Sequence, residues 1–448
     1  MSHPIVEAVR KAGVVGAGGA GFPTHVKLQS QVDVVIANGA ECDPLLASDQ
    51  RLMERHAARI VQGLRLAMAA TGAQEGVVAL KRAYTAAVEA MQQAMARFPE
   101  IRLHLMESYY PAGDEFVLVY EVTGRLIPET GLPLQVGCLV QNVGTLFHVA
   151  EAEKGVPVTH RAVTVAGEVR KPGVYWVPIG TSVAYLLEQA GGLRMPLEDL
   201  GIVLGGPMMG RLAPSLEEPI RKTTSGVLAL PRTTATVCAL SRPLASWVRR
   251  GRSTCDQCRD CTDLCPRYLL GHNFRPHEVM RAVNYGLTDQ PDIITGAVMC
   301  CECRLCEAYA CPLDLSPMAA YRQIKAQLRT AGWRNERHKR WDLTPHPFRE
   351  HRHVPTHRLI ARLGLTAYED QPLPFHPEAL KPPEVRIPLQ QHTGVPAFPV
   401  VKEGDEVAVG DLLGDIPEGK LGARVHASIA GRVTRVDGAS VTITASRR

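Results

Sequence analysis

Nine of the chain's twelve cysteines fall between Cys255 and Cys311, in two runs of nearly the same design. The first reads Cys255-x2-Cys258-x2-Cys261-x3-Cys265-Pro266, and the second reads Cys300-x2-Cys303-x2-Cys306-x4-Cys311-Pro312. The opening Met1-Ser2-His3-Pro4 has neither a basic n-region nor an apolar h-region. A cytoplasmic, reducing setting is therefore expected, where structural disulfides are rare and so many thiols call for a metal. From Leu244 to about Thr330 the chain reads as helical around these cysteines, with no comparable strand signal.

The remaining sequence divides by pattern. At 448 residues the chain has room for two to four domains. The first 150 or so residues alternate apolar strands (Val32–Ala37, Gly76–Leu80, Ile101–Met106) with helices such as Leu52–Ala70. That alternation argues for an α/β layer with a mostly parallel sheet. A small α+β module follows, with β-rich alternation from Arg161, a helix over Ser182–Ala190 and a turn at Gly205–Gly210. Between Arg334 and Arg358 lies the densest basic run, rich in His and Pro, which reads as part of a solvated linker. The last 60 or so residues carry short β-branched runs broken by Gly404-Asp405, Gly410-Asp411 and Asp437-Gly438, the pattern of a compact all-β unit. The net charge of +5, with no basic face interleaved by aromatics, gives no basis for a nucleic-acid partner. No stretch reaches the roughly 18–20 apolar residues of a membrane helix.

Each cysteine run resembles the bacterial ferredoxin pattern, in which three close thiolates hold one 4Fe–4S cluster and the Cys before Pro serves the other. That resemblance implies one cluster on Cys255, Cys258, Cys261 and Cys311, and a second on Cys300, Cys303, Cys306 and Cys265. Paired structural zinc knuckles are the alternative, although zinc sites usually present two cysteines per knuckle. Cys301 offers a second candidate beside Cys300, and the second run has one extra residue before its last Cys. Cys42, Cys138 and Cys238 have no partner at metal spacing and read as buried small residues.

Gly16-Ala-Gly18-Gly19-Ala-Gly21 fits a dinucleotide fingerprint, but Phe22-Pro23 breaks the helix that should start there, so a standard Rossmann crossover is not expected. Continued through Phe22 to Lys27, the loop resembles that of the FMN- and NADH-binding subunit of respiratory complex I, and more closely that of the RnfC component of the Rnf electron-transport complex. Asn38-Gly-Ala-Glu41-Cys-Asp43, Tyr110-Pro-Ala-Gly113-Asp114-Glu115 and Gln141-Asn142-Val-Gly-Thr145 match the same family in order. By resemblance, Gly18, Gly19 and Lys27 hold the FMN phosphate, Gly16 and Gly21 belong to the same cofactor-binding loop, and Asn38, Asn142 and Thr145 line the flavin. Phe22, Asp43 and Glu115 face NADH, with Glu115 the catalytic candidate. Glu41, Tyr110, Gly113 and Asp114 complete the cofactor set. Ala17, Ala40 and Gln141 depart from the complex I pattern, where an Arg, an acid and an Asn stand.

The resemblance implies a multidomain fold. It runs from a Rossmann-like FMN/NADH domain (1–158) through an SLBB β-grasp domain (159–235) and a helical two-cluster ferredoxin domain (244–330) to a Pro/His/Arg-rich linker (331–383). A barrel-sandwich hybrid (384–448) ends it. Lipoyl-type carriers need a Lys at the hairpin tip, where this chain has His426-Ala427-Ser428-Ile429, so a packing or docking module is expected. This order, barrel last, is similar to the cobalamin reductases of the propanediol-utilisation system. The implied activity is NADH oxidation through FMN and two 4Fe–4S clusters to cobalamin. Implied partners are a corrinoid or its adenosyltransferase and the shell proteins of a bacterial microcompartment. Two other readings stay open: a soluble Rnf-like subunit donating to membrane partners, and a zinc-knuckle scaffold without activity.

Overall fold

The computed structural model describes residues 3–287 and 289–446, leaving Met1 and Ser2 of the expected leaderless start outside it. Its first unit is built on four parallel strands in the order Ile101–Met106, Glu75–Lys81, Val34–Gly39, Cys138–Asn142. Helices Ser48–Thr71 and Val143–Glu153 cover one face, packing Ile60, Leu64, Leu146 and Val149 at 0 % exposure. Helix Glu115–Thr123 covers the other with Leu118 and Val119. The chain leaves the central strand Val34–Gly39 toward one edge and returns on its other side. A crevice therefore opens at the carboxyl ends of Val34–Gly39 and Cys138–Asn142, where α/β sheets take their ligands. Asn38 and Asn142 sit on its two lips.

The second unit is a six-stranded mixed sheet whose parallel centre pairs His160–Gly167 with Gly226–Pro231, backed by helix Val183–Gln189. Helices Leu244–Thr254, Pro276–Tyr285 and Pro317–Thr330 frame the cysteine runs. The C-terminal unit is two small sheets of four and three strands, packed around Ile387, Leu413, Val433 and Ile443. Its hairpin tip is buried: Ala427 and Ser428 are almost fully covered, and Ser428 Oγ donates to Ile179 O at 2.5 Å. A tip inserted into a neighbouring domain cannot swing as a carrier arm.

The expected solvated linker is instead packed. Val354–Pro355 pairs with Tyr109–Tyr110, the His353 ring stacks on Tyr109 at 3.9 Å, and Phe375–Ala379 adds an edge strand to the second sheet. Leu359, Ile360, Leu363 and Leu365 are buried. The abundance of His, Arg and Pro hid this short apolar stripe. Cys138 is buried as expected, whereas Cys42 and Cys238 are half-buried.

Gly63 shows how tightly the two covering helices meet. A Cβ there would lie 1.9 Å from the carbonyl oxygen of Leu146. Overpacking a core costs roughly 1–3 kcal/mol when side chains can adjust. Backbone cannot adjust as easily, so Gly63→Ala should destabilise the first unit by about 3 kcal/mol, read as a lowered midpoint in urea unfolding.

Candidate flavin crevice and cysteine centres

The glycine-rich loop is closed on itself by Gly16 N–H to Phe22 O at 2.9 Å and Gly21 N–H to Gly16 O at 3.2 Å. Its crest, Gly18 to Ala20, is exposed, and among the described residues these three N–H groups donate no hydrogen bond. Gly19 has φ +113°, a conformation that L side chains rarely adopt. Successive free amides in such a turn form an anion-binding concavity. Thr145 ties the loop to the sheet, its Oγ1 accepting from Ala17 N at 2.9 Å. Asn142 caps helix Val143–Glu153 by accepting from Gly144 N at 2.8 Å, and its amide donates to Asp49 Oδ2 at 2.6 Å. A Cβ on Gly18 would come within 3.6 Å of Asn142. Loop crest and helix N-terminus thus face one space, and both favour phosphate.

On the other lip, Asn38 Nδ2 donates to Gly113 O at 3.0 Å, and Lys27 Nζ reaches Glu115 Oε1 at 3.2 Å and Val140 O at 3.3 Å. Glu41 accepts from Ser48 Oγ at 2.8 Å and Asp49 N at 3.0 Å. Burial, then the neighbouring Asp49, pushes Glu41 up to about 8, and burial pushes Asp49 up to about 6. Phe22 is half-buried beside the loop.

Three other residues expected at the cofactor serve as joints. Asp43 accepts from Met208 N and Met209 N, at 2.9 and 3.0 Å, in the Gly205–Gly210 turn of the second unit. Tyr110 is fully buried and donates its hydroxyl to Cys303 O at 2.9 Å. Asp114, which also caps helix Glu115–Thr123, binds Arg267 through two hydrogen bonds of 2.6 and 3.1 Å. The Arg267 guanidinium lies 3.8 Å from the Phe116 ring centroid. No spacing rule marks such contacts, because each partner lies more than 150 residues away in sequence.

The two cysteine runs share one backbone path. In the first, Gln257 and Arg259 flank Cys258 with φ of 61° and 76°; in the second, Glu302 and Arg304 flank Cys303 with 60° and 64°. Four non-glycine residues in the left-handed region are costly and persist only where the surroundings demand them. The match aligns Cys300 with Cys255, so Cys301 is the extra residue. Cys300 Sγ accepts from Glu302 N at 3.3 Å, the kind of amide contact that tunes a metal-bound thiolate. Cys301 instead shares a hydrogen bond with Cys303, which lowers its thiol, on the side facing Arg267 and Asp114.

Cys255, Cys258, Cys261 and Cys311 line one pocket. Burial first, then Cys258, Cys265, Cys311 and Cys255, raise the Cys261 thiol; burial, Glu307, Cys300, Cys261 and Cys265 raise that of Cys306. Thiolates gathered this way need a cation to carry their charge. A single zinc fits poorly. Tetrahedral zinc with bonds of about 2.3 Å would draw sulfurs to about 3.8 Å, yet among the described residues no three cysteine sulfurs lie within 4.8 Å of one another. A wider, multi-iron centre suits the gap. The sets also differ in exposure: Cys265 and Cys306 are buried within the helical unit and Cys303 beside Tyr110, while Cys258 is exposed.

Family models match along the chain: the Nuo51 FMN-binding domain over residues 9–151, the SLBB domain over 162–212, a 4Fe–4S dicluster domain over 254–316, and the RnfC barrel sandwich hybrid domain over 376–447. The cobalamin reductase PduS of Salmonella typhimurium is 44% identical over 443 residues, covering 98% of this chain and 96% of the relative. That of Citrobacter freundii is 44% identical over 446 residues, covering 99% and 96%. One component of the Na+-translocating ferredoxin:NAD+ oxidoreductase complex of Acetobacterium woodii is 35% identical over 271 residues, covering 59% and 58%. No helix among the described residues is long and apolar enough to cross a membrane.

The Arg267–Asp114 pair, 7 % and 14 % exposed, generates a prediction. Removing one partner of a buried pair costs about 3–5 kcal/mol. Arg267→Met should cost about 3 kcal/mol, since Asp114 keeps its capping bonds, and should split one unfolding transition into two by calorimetry.

Proposed function

The chain belongs to the family of PduS cobalamin reductases, and from that premise we propose that it is an NADH-oxidising flavoprotein delivering single electrons to a corrinoid. The observation that carries the reading is the seam between crevice and cysteines. Tyr110, Asp114 and Glu115 follow one another closely in sequence; the first two grip the Cys303 and Cys265–Arg267 loops, while Glu115 stays on the crevice lip. When bound, FMN accepts a hydride and gives up electrons singly, and the 4Fe–4S clusters carry them one at a time.

The chain's own residues fit those duties. Gly16, Gly18, Gly19 and Gly21 shape the phosphate cradle, and Asn38, Gly113, Asn142 and Thr145 set the crevice walls. Lys27, expected at the FMN phosphate, instead pairs with Glu115 at 3.2 Å, and in this reading the couple stands where a nicotinamide ring would approach, with Phe22 offering an aromatic edge. Glu41 is buttressing in this reading, pinning the start of helix Ser48–Thr71, and Asp43 holds the second unit in place. Cys265, Cys300, Cys303 and Cys306 form the inner ligand set. Cys255, Cys258, Cys261 and Cys311 form the outer one, open to an acceptor at Cys258. The units follow the divisions 1–158, 159–235, 244–330 and 384–448, with 331–383 as a packed connector. A cytoplasmic or microcompartment-lumen location, shell-protein neighbours and hand-over to a corrinoid adenosyltransferase belong to the same proposal.

Protein reconstituted anaerobically with iron, sulfide and FMN should bleach in both flavin and cluster bands on adding NADH, and should then reduce cob(III)alamin. Unbleached spectra reject the electron path. In iron analysis, Cys258→Ser and Cys300→Ser should each lose about half the iron of a two-cluster protein, whereas Cys301→Ser should keep it all. Loss in Cys301→Ser alone would reverse the assignment of that run.

A further inference from the structure

We propose that Arg161 holds the terminal phosphate of the flavin, a positioning residue lent to the glycine-rich loop by the second unit. The inference rests on the FMN reading above. Arg161 is the second residue of strand His160–Gly167 and lies in neither matched span, 9–151 nor 162–212.

Its side chain is enclosed, the residue being 7 % exposed. The guanidinium bonds only to backbone carbonyls: Nη1 to Lys222 O, Nε to Ala162 O at 3.3 Å, and Nη2 to Ala17 O at 3.5 Å. Among the described residues it makes no ion pair. The acids whose fields reach it are Asp49 and Glu41. Both are engaged elsewhere, Asp49 by Asn142 and Glu41 by Ser48 and Asp49 N. Burial lowers Arg161 only to about 10, so it stays charged at neutral pH. A buried cation without a contacting anion is costly, and an incoming phosphate removes that cost.

The other cations near the loop are committed. Lys27 is paired with Glu115. Lys222 Nζ donates to Gly13 O and Arg424 O, both at 2.7 Å, where it joins three units below the loop. Among the described residues Lys222 has no contacting anion either, but burial lowers it to about 7, so among these cations Arg161 is the one that touches the loop and stays fully charged at neutral pH. Ala17 fixes the direction, since its N–H is held by Thr145 at the start of helix Val143–Glu153 and its carbonyl by Arg161. A group seated over the free amides of Gly18 to Ala20 therefore sits beside the Ala17 peptide, whose N–H and carbonyl are held by Thr145 and the guanidinium. A planar fork with several donors suits a phosphate dianion.

The test compares FMN with riboflavin, which lacks the phosphate, on flavin-stripped protein that keeps its clusters, by quenching of flavin fluorescence. Arg161→Gln should weaken FMN on the order of tenfold to a hundredfold and leave riboflavin unchanged, with Arg161→Lys recovering part of the loss. Equal losses for both flavins would make Arg161 a structural residue and overturn the proposal, as would undiminished FMN affinity. If Arg161→Gln does not fold, the FMN-to-riboflavin ratio of Arg161→Lys decides: a fall supports the contact and an unchanged ratio rejects it. Wild-type protein that binds neither flavin would instead sink the FMN reading itself.

Discussion

The buried pair between Arg267 and Asp114 is the constraint on which the arrangement depends. Taking a guanidinium and a carboxylate out of water is costly, and their attraction repays it only with good geometry and satisfied remaining donors. Here two hydrogen bonds, a ring face from Phe116 and two backbone amides into Asp114 supply that geometry. Arg267 stands two residues after Cys265, and Asp114 one before Glu115. One ion pair therefore fixes the Cys265 loop against the lip of the crevice. Electron transfer falls steeply with distance, so a loose hinge here would defeat the chemistry even with every ligand in place.

Other seams follow the same logic. Arg304, beside Cys303, donates to Pro207 O at 3.2 Å and Met208 O at 3.4 Å, while Asp43 of the first unit binds the amides of Met208 and Met209. The Gly205–Gly210 turn is thus held from two sides, and a Cβ on Gly206 would strike Asp43 at 2.1 Å. Crevice, turn and cysteine loop form a closed ring of polar contacts. Rigidity at this point serves function directly, because it holds the two redox sites at one separation.

The sequence made the chemistry legible and left the seams obscure. Cysteine spacing is a local property, and so are the loop glycines and the strand-helix alternation of the first unit. Strand Ile101–Met106 appears with its expected bounds, and helix Ser48–Thr71 extends the expected one at its start, where Glu41 accepts from the Ser48 hydroxyl and the Asp49 amide. Spacing already favours Cys300 over Cys301, and the repeated left-handed residues align the two runs in the same register. Asp43, Tyr110 and Asp114 looked like cofactor residues because they lie within cofactor-like segments, and their partners lie across domain boundaries. Residues 331–383 misled through composition: Arg349 reads as a solvated charge but is buried on Glu121 and over the Tyr120 ring.

The C-terminal barrel gains a role from the same contacts. Thr393 donates its N–H to Gly21 O at 2.9 Å and its hydroxyl to Ala20 O at 3.0 Å, while Gln391 receives Lys222 N. The loop that would cradle a phosphate is therefore held from below by the barrel, from one side by Thr145 and from the other by Arg161. A surface loop rich in glycine has much conformational entropy to lose on binding. Anchoring its carbonyls while leaving the crest amides free removes much of that loss before a ligand arrives. A barrel with no carrier lysine and a buried tip then makes physical sense as a clamp, whichever end of the chain it occupies.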